Sequence, residues 1–181
     1  MNGPGHYALG ASAGLVYVQA VPVTWWQALI CVPVAAGVAY GALSPDIDQS
    51  RLWHLADRVL PDEWLGNSGP FRHRGVSHWF GVYAVLTYAL WVASPDGWWL
   101  AGAVLAGWWS HLAADLLVGA RGAGRGPGIP VLPWWGHVGL GAKCGGWTEA
   151  GLAVVVPLAV VGWSLWHALP ETRVILAGIG L

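Results

Sequence analysis

Charge is the scarcest feature of this chain. Asp, Glu, Lys and Arg make up 9% of its 181 residues, against about 25% in a soluble domain. So few charges cannot cover a water-facing surface. Long polar stretches are also missing, which argues against a disordered chain. The only cysteines are Cys31 and Cys144, and there is no CxxC, so a disulfide framework is excluded. Cys31 lies in an apolar run and reads as a small core residue. The net charge is −1, so no basic surface is available to hold a nucleic acid. The N-terminus lacks the basic segment that opens a cleavable signal peptide, so the first apolar stretch reads as a retained membrane helix.

What the chain does have is apolar. Hydrophobic residues make up 56%, with 27 glycines in addition. The 15 tryptophans suit the membrane–water interface, which accommodates both an apolar ring and its N–H donor. A bilayer core of about 30 Å needs roughly 20 apolar residues per helix, with about 17 as the lower end. Five segments qualify: Tyr7–Val23, Trp25–Leu43, Val76–Ala93, Trp98–Leu117 and Ala150–Ala168. The first is rich in small residues, which favour close helix packing in lipid. Val174–Leu181 is apolar but too short to span. The expected fold is therefore all-α: one domain over residues 1–181, a polytopic bundle of about five membrane helices.

Alternating helices would put the N-terminus and the long connections Ser44–Gly75 and Val118–Glu149 on one side. Seven of the eight basic residues fall there: Arg51, Arg58, Arg72, Arg74, Arg121, Arg125 and Lys143. Only Arg173 falls opposite. The positive-inside rule puts the long connections in the cytoplasm.

The same face gathers His6, Asp46, Asp48, His73, His78, His111 and Asp115. His111 and Asp115 are spaced i,i+4 on one helix face, as one helix presents two ligands to one metal. An ionisable pair within an apolar helix needs compensation, and a cation supplies it; the alternative is a plain His–Asp hydrogen bond between helices. Asp46 and Asp48, at i,i+2, divide between a ligand and a supporting or capping role. His73 and His78 straddle the start of the third helix. Arg74 between them suits a phosphate oxygen or an ion pair with Asp46, Asp48 or Asp57. His6 is a lone histidine placed at the right face. Glu149 opens the last helix, as a favourable charge for the helix dipole or as a late ligand or base. His54 and His137 read as surface residues, and His167 lies toward the other side. Nitrogen and oxygen donors without thiolate suit Zn²⁺, with Mn²⁺ or Fe²⁺ as alternatives, as one ion or two.

The order His6, Ser44-Pro45-Asp46-Ile47-Asp48, His73-Arg74-Gly75-Val76-Ser77-His78 and Ser110-His111-Leu112-Ala113-Ala114-Asp115 resembles the YdjM-like family of inner-membrane, metal-dependent hydrolases. Gly128-Ile129-Pro130-Val131-Leu132-Pro133-Trp134 and Glu149 extend the likeness over nearly the whole chain. That family is in turn distantly similar to zinc-dependent phospholipase C and the fungal zinc single-strand nucleases. The resemblance implies one metal site from Asp46 or Asp48, His73 or His78, His111 and Asp115. It implies a second metal at His6, with Asp115 available to both. A later His–Glu pair on one helix is missing: His137 and Glu149 are twelve residues apart.

The expected function is phosphoester hydrolysis by metal-activated water, with a lipid head group among the substrates. Arg74 would hold the phosphate, and Asp48 or Glu149 would act as base. The partner is the bilayer, and the oligomeric state is open. Two rivals are a small transporter or channel with a His/Asp relay, and a non-catalytic membrane scaffold.

Overall fold

The computed structural model describes residues 3–41, 43–46, 75–94, 97–118, 128–132, 135–140 and 146–168. Among them are five α-helices: α1 (Gly3–Ala20), α2 (Trp25–Tyr40), α3 (Phe80–Ala93), α4 (Trp98–Leu117) and α5 (Trp147–Ala168). A 3-10 turn, Val76–His78, leads into α3. The five apolar segments thus become five helices, with shifted ends. Helix α1 starts at Gly3, because Pro4 is tolerated in a first turn where its missing N–H has no partner to lose; this carries His6 into the helix. The start of α2 is fixed by Gln27, whose Oε1 accepts from the Thr24 backbone N–H at 2.8 Å. Helix α5 starts at Trp147, which places Glu149 in its first turn.

One departure from the all-α expectation lies in the second long connection. Ile129–Leu132 (β1) and Trp135–Val138 (β2) pair as an antiparallel hairpin, with Ile129 opposite Val138 and Pro130 opposite His137. Pro130 cannot donate to a ladder, and a two-stranded hairpin, being all edge, tolerates it. The hairpin is tied to the helices: Trp79 Nε1 donates to the Val131 carbonyl at 3.0 Å, and the Leu140 N–H donates to the Leu116 carbonyl at 2.8 Å. Ile129 is buried with Tyr83 and Leu112.

Helices α1, α2 and α4 pack on one another, α5 lies on α1, and α3 lies more loosely on α4. Small residues allow the close central contact. A Cβ on Gly10 would meet the Ala39 Cβ at 2.5 Å, and one on Gly107 would meet the Ala35 carbonyl at 2.5 Å. The seam is completed by fully buried alanines of α2. Helices without hydrophobic drive between them associate through such packing.

Among the described residues, two helices are long and apolar enough to cross a membrane, Trp98–Leu117 and Trp147–His167, while α2 and α3 are shorter apolar helices. Large apolar side chains stand exposed around the bundle, among them Leu29, Val85, Tyr88, Trp91 and Leu158.

Candidate metal centre

The chain order brings the start of α1, the end of α2, the 3-10 turn before α3 and the end of α4 to one end of the bundle. Five of the seven ligand candidates meet there: His6, Asp46, His78, His111 and Asp115. Asp48, His73 and Arg74 lie outside the described residues. All five are buried except Asp46, which is 19% exposed.

His111 sits on the α4 face that meets α2. Its Nδ1 donates to the Ala39 carbonyl at 2.7 Å. That carbonyl belongs to the last turn of α2, where backbone oxygens have no intrahelical partner. The bond therefore fixes the tautomer and leaves the Nε2 lone pair facing the cluster. His78 is held in a related way, with Nδ1 3.1 Å from the Ser77 hydroxyl. The Ser77 carbonyl in turn accepts from the Tyr83 hydroxyl at 2.7 Å.

The donor atoms then converge. His78 Nε2 lies 3.1 Å from Asp46 Oδ1 and 3.4 Å from Asp115 Oδ2. His111 Nε2 lies 3.8 Å from each of the same two oxygens. The two Nε2 atoms are 3.3 Å apart. Four donors at about 2.05 Å around a tetrahedral cation stand roughly 3.3 Å from one another. These five separations bracket that value. His78, His111 and Asp115 form one triad suited to an ion, and His6, Asp46 and His111 another.

His6 stacks on His111, ring centroids 3.8 Å apart and nearly parallel. Its Nε2 is 3.4 Å from Asp115 Oδ1, so the two oxygens of Asp115 address different histidines. Both ring nitrogens of His6 are buried without a hydrogen-bond partner among the described residues. Buried polar atoms are nearly always satisfied. A cation among these donors satisfies them, so the residues present fit a metal.

Burial disfavours the charged form of His78, yet its hydrogen bonds to Asp115 and Asp46 outweigh it, and the pKa of His78 stands above the ordinary imidazole value.

Glu149 is buried in the first turn of α5, at the same end of the bundle. It does not join either donor triad. His137 is half-buried on β2, and His167 is exposed at the far end of α5. Sequence reasoning missed the role of Ala39, since nothing marks a backbone carbonyl as a partner for a histidine.

The family model described as YdjM inner membrane protein matches residues 1–179, and the chain belongs to that family. No curated protein and no solved structure matches it.

Proposed function

We propose that this member of an inner-membrane family is a multi-pass, metal-dependent hydrolase of phosphoesters, with its His/Asp cluster facing the cytoplasm. The observation that carries the reading is the convergence of Asp46, His78, His111 and Asp115 at one end of the bundle, with His78, His111 and Asp115 close enough together to share one ion. These four would hold one ion, and His6 with Asp115 Oδ1 would hold a second. Zn²⁺ suits the donors best, ahead of Mn²⁺ and Fe²⁺. A bound divalent ion supplies Lewis acidity and lowers the pKa of water.

The protein's own residues do the rest. His111 is locked by Ala39 and His78 by Ser77, so both rings keep one orientation. Asp46, at the solvent-facing edge, is placed to take a proton from an attacking water. Arg74 is assigned to the phosphate oxygens on its sequence position, and Asp48 and Glu149 stand as further candidate bases. Access is from the Asp46 side, because the other four donors are sealed.

A relay through the bundle has less support. Ser12, Thr87, Ser110 and Ser164 each donate to a carbonyl of their own helix, so none extends the cluster as a file of free hydroxyls.

Elemental analysis of detergent-purified protein tests the reading. About one to two ions per chain are expected, falling to near zero in His111→Ala. Less than about 0.2 ion per chain in both proteins after supplementation with each metal would remove its basis.

A further inference from the structure

The indoles of the bundle sort by what their N–H groups meet. In the middle of α4, Trp108 donates to the Leu43 carbonyl at 2.7 Å and Trp109 to the Thr87 hydroxyl at 3.1 Å. Trp25, Trp91, Trp98, Trp147 and Trp163 are exposed, and their N–H groups meet no acceptor among the described residues. A donor left bare in hydrocarbon is costly, so these rings belong where water or lipid head groups can accept. They form two belts. Trp25, Trp91, Trp98 and Trp163 stand toward the far end of the bundle, and Trp147 stands at the cluster end with the exposed Tyr7 and Tyr40.

Two helices measure the gap between the belts independently. Trp25 to Tyr40 is 15 residues of α2, a rise of about 22 Å, and Trp147 to Trp163 is 16 residues of α5, about 24 Å. A hydrocarbon core of about 30 Å thins to match such a span at modest cost. Contacts across the bundle keep the levels common. At the far end Trp26 meets Trp99 edge-on, with centroids 5.4 Å apart, and Gln19 donates to Ser164; at the near end His111 bonds Ala39.

The near belt falls on the cluster. Measured from Trp98 along α4, the same 15 to 16 residues end at Ala113–Ala114, and Asp115 is next. Tyr7 follows His6, and Tyr40 follows Ala39. The five helices carry no Lys or Arg, and their only carboxylates, Asp115 and Glu149, lie at this level. Asp46, the most exposed donor, comes after Tyr40 and so stands on the outer side. We infer that the head-group plane of the bilayer passes through the His/Asp cluster, and that the centre takes a phosphoester anchored in the membrane rather than one free in water. The depth rests on the multi-pass reading above, and the anchored substrate on the hydrolase reading. In that hydrolysis a water oxygen bonds to phosphorus as the ester P–O bond breaks, and the water proton passes by way of Asp46 to the departing alcohol oxygen.

The test uses the full-length protein in phosphatidylcholine liposomes, with Cys31 and Cys144 replaced by Ala. Cys31 is buried, so it stays in place if its replacement does not fold. A nitroxide is attached at single cysteines replacing Trp147, Tyr40, Val155 or Leu29, all exposed; Leu43→Cys serves if Tyr40→Cys does not fold. Power saturation against oxygen and a water-soluble nickel chelate reads depth. Labels at Trp147 and Tyr40 should report the head-group plane. Val155, midway between the belts of α5, should lie about 12 Å deeper than Trp147, and Leu29 should lie deeper than Tyr40. Labels at Trp147 and Tyr40 that are fully water-exposed, or as deep as Val155, overturn the inference while leaving the multi-pass reading intact. Equal access of nickel to all four positions overturns both. In parallel, the metal-loaded parent should turn over long-chain phosphatidic acid in liposomes about tenfold faster than a short-chain, water-soluble analogue, because the anchored ester is already held at the depth of the site. Equal rates overturn the anchored substrate. Turnover of neither overturns the hydrolase reading, and the depth profile still decides the plane.

Discussion

Gly107 is where packing and metal chemistry meet. A Cβ at this position would stand 2.5 Å from the Ala35 carbonyl oxygen and 3.0 Å from the Val38 Cβ, where ordinary contact begins near 3.4 Å. The nearer obstacle is helix backbone, which cannot swing aside. In Gly107→Ala, α4 must therefore retreat from α2 by about 0.9 Å, since a close-packed interior has no slack to absorb the overlap. His111 is one turn further on, and its 2.7 Å bond to Ala39 would lengthen to about 3.6 Å, past hydrogen-bonding range. Overpacking costs about 1–3 kcal/mol, while replacing a helical glycine returns up to about 1 kcal/mol. The net loss of stability is thus modest, and metal affinity is the decisive readout. Losing the orienting partner of a ligating histidine weakens affinity about 10- to 100-fold. Competition against a fluorescent zinc chelator in detergent measures it. Gly162→Ala is the control, because a Cβ there meets nothing within 4 Å; it should keep full affinity and gain slightly in melting temperature. Parent-like affinity in Gly107→Ala would refute the claim that the α2–α4 contact positions the cluster.

Asp115→Asn keeps the shape of the carboxylate but not its charge, and it should leave less than about 0.2 ion per chain by elemental analysis. His6→Ala should lower the stoichiometry from about two ions to about one, because His6 addresses Asp115 Oδ1 while His78 and His111 face Oδ2; an unchanged count refutes a second site. His78 has a raised pKa in the metal-free protein, so it holds its proton to higher pH than a free imidazole. Metal loading should therefore release protons, and zinc affinity should tighten as pH rises; an affinity that does not change with pH would contradict this. Gly128 has φ +87°, and a Cβ there would lie 1.9 Å from the Val138 carbonyl oxygen, so Gly128→Ala should loosen the hairpin. Faster amide exchange confined to Ile129–Leu132, with the five helices unchanged, is the expected result.

Periodicity and composition made the helices legible, since an apolar run of helix length has few other fates in this chain. Their boundaries were less so. Nothing in Gly-Pro-Gly forbids a helix start, yet the apolar window begins only at Tyr7, four residues after the start of α1 at Gly3. The hairpin was missed because proline and tryptophan dominate its sequence, and its pairing depends on docking against Trp79 and Leu116. The cluster itself was legible as a list but not as a geometry. His111 and Asp115 announce themselves by i,i+4 spacing. His6 carries no local signal; only the chain's alternation across the bundle brings it against His111. That Asp46 and His78 converge with them also came from three dimensions, while Asp48 and His73 lie outside the described residues.

The electrostatics of the helix ends explain why a cation belongs at this place. Asp115 lies in the last turn of α4, and Ala39 in the last turn of α2. Each helix C-terminus carries about half a negative charge. Two such termini therefore meet two carboxylates in a pocket where four of five side chains are sealed from water. A carboxylate at a helix C-terminus is in the unfavourable position, and burial removes the water that would screen it. The start of α1 brings an opposing partial charge with His6, but it offsets only one terminus. The remaining excess is negative, and neutral imidazoles supply lone pairs rather than charge. A proton on His78 relieves part of it, in keeping with the raised pKa of that ring. A divalent cation relieves more, because it draws on the lone pairs of both His78 and His111 and faces both carboxylates together. The arrangement that looks costly as a set of side chains is thus consistent once its net charge is counted. The same count predicts that a monovalent ion of similar size competes poorly for the site.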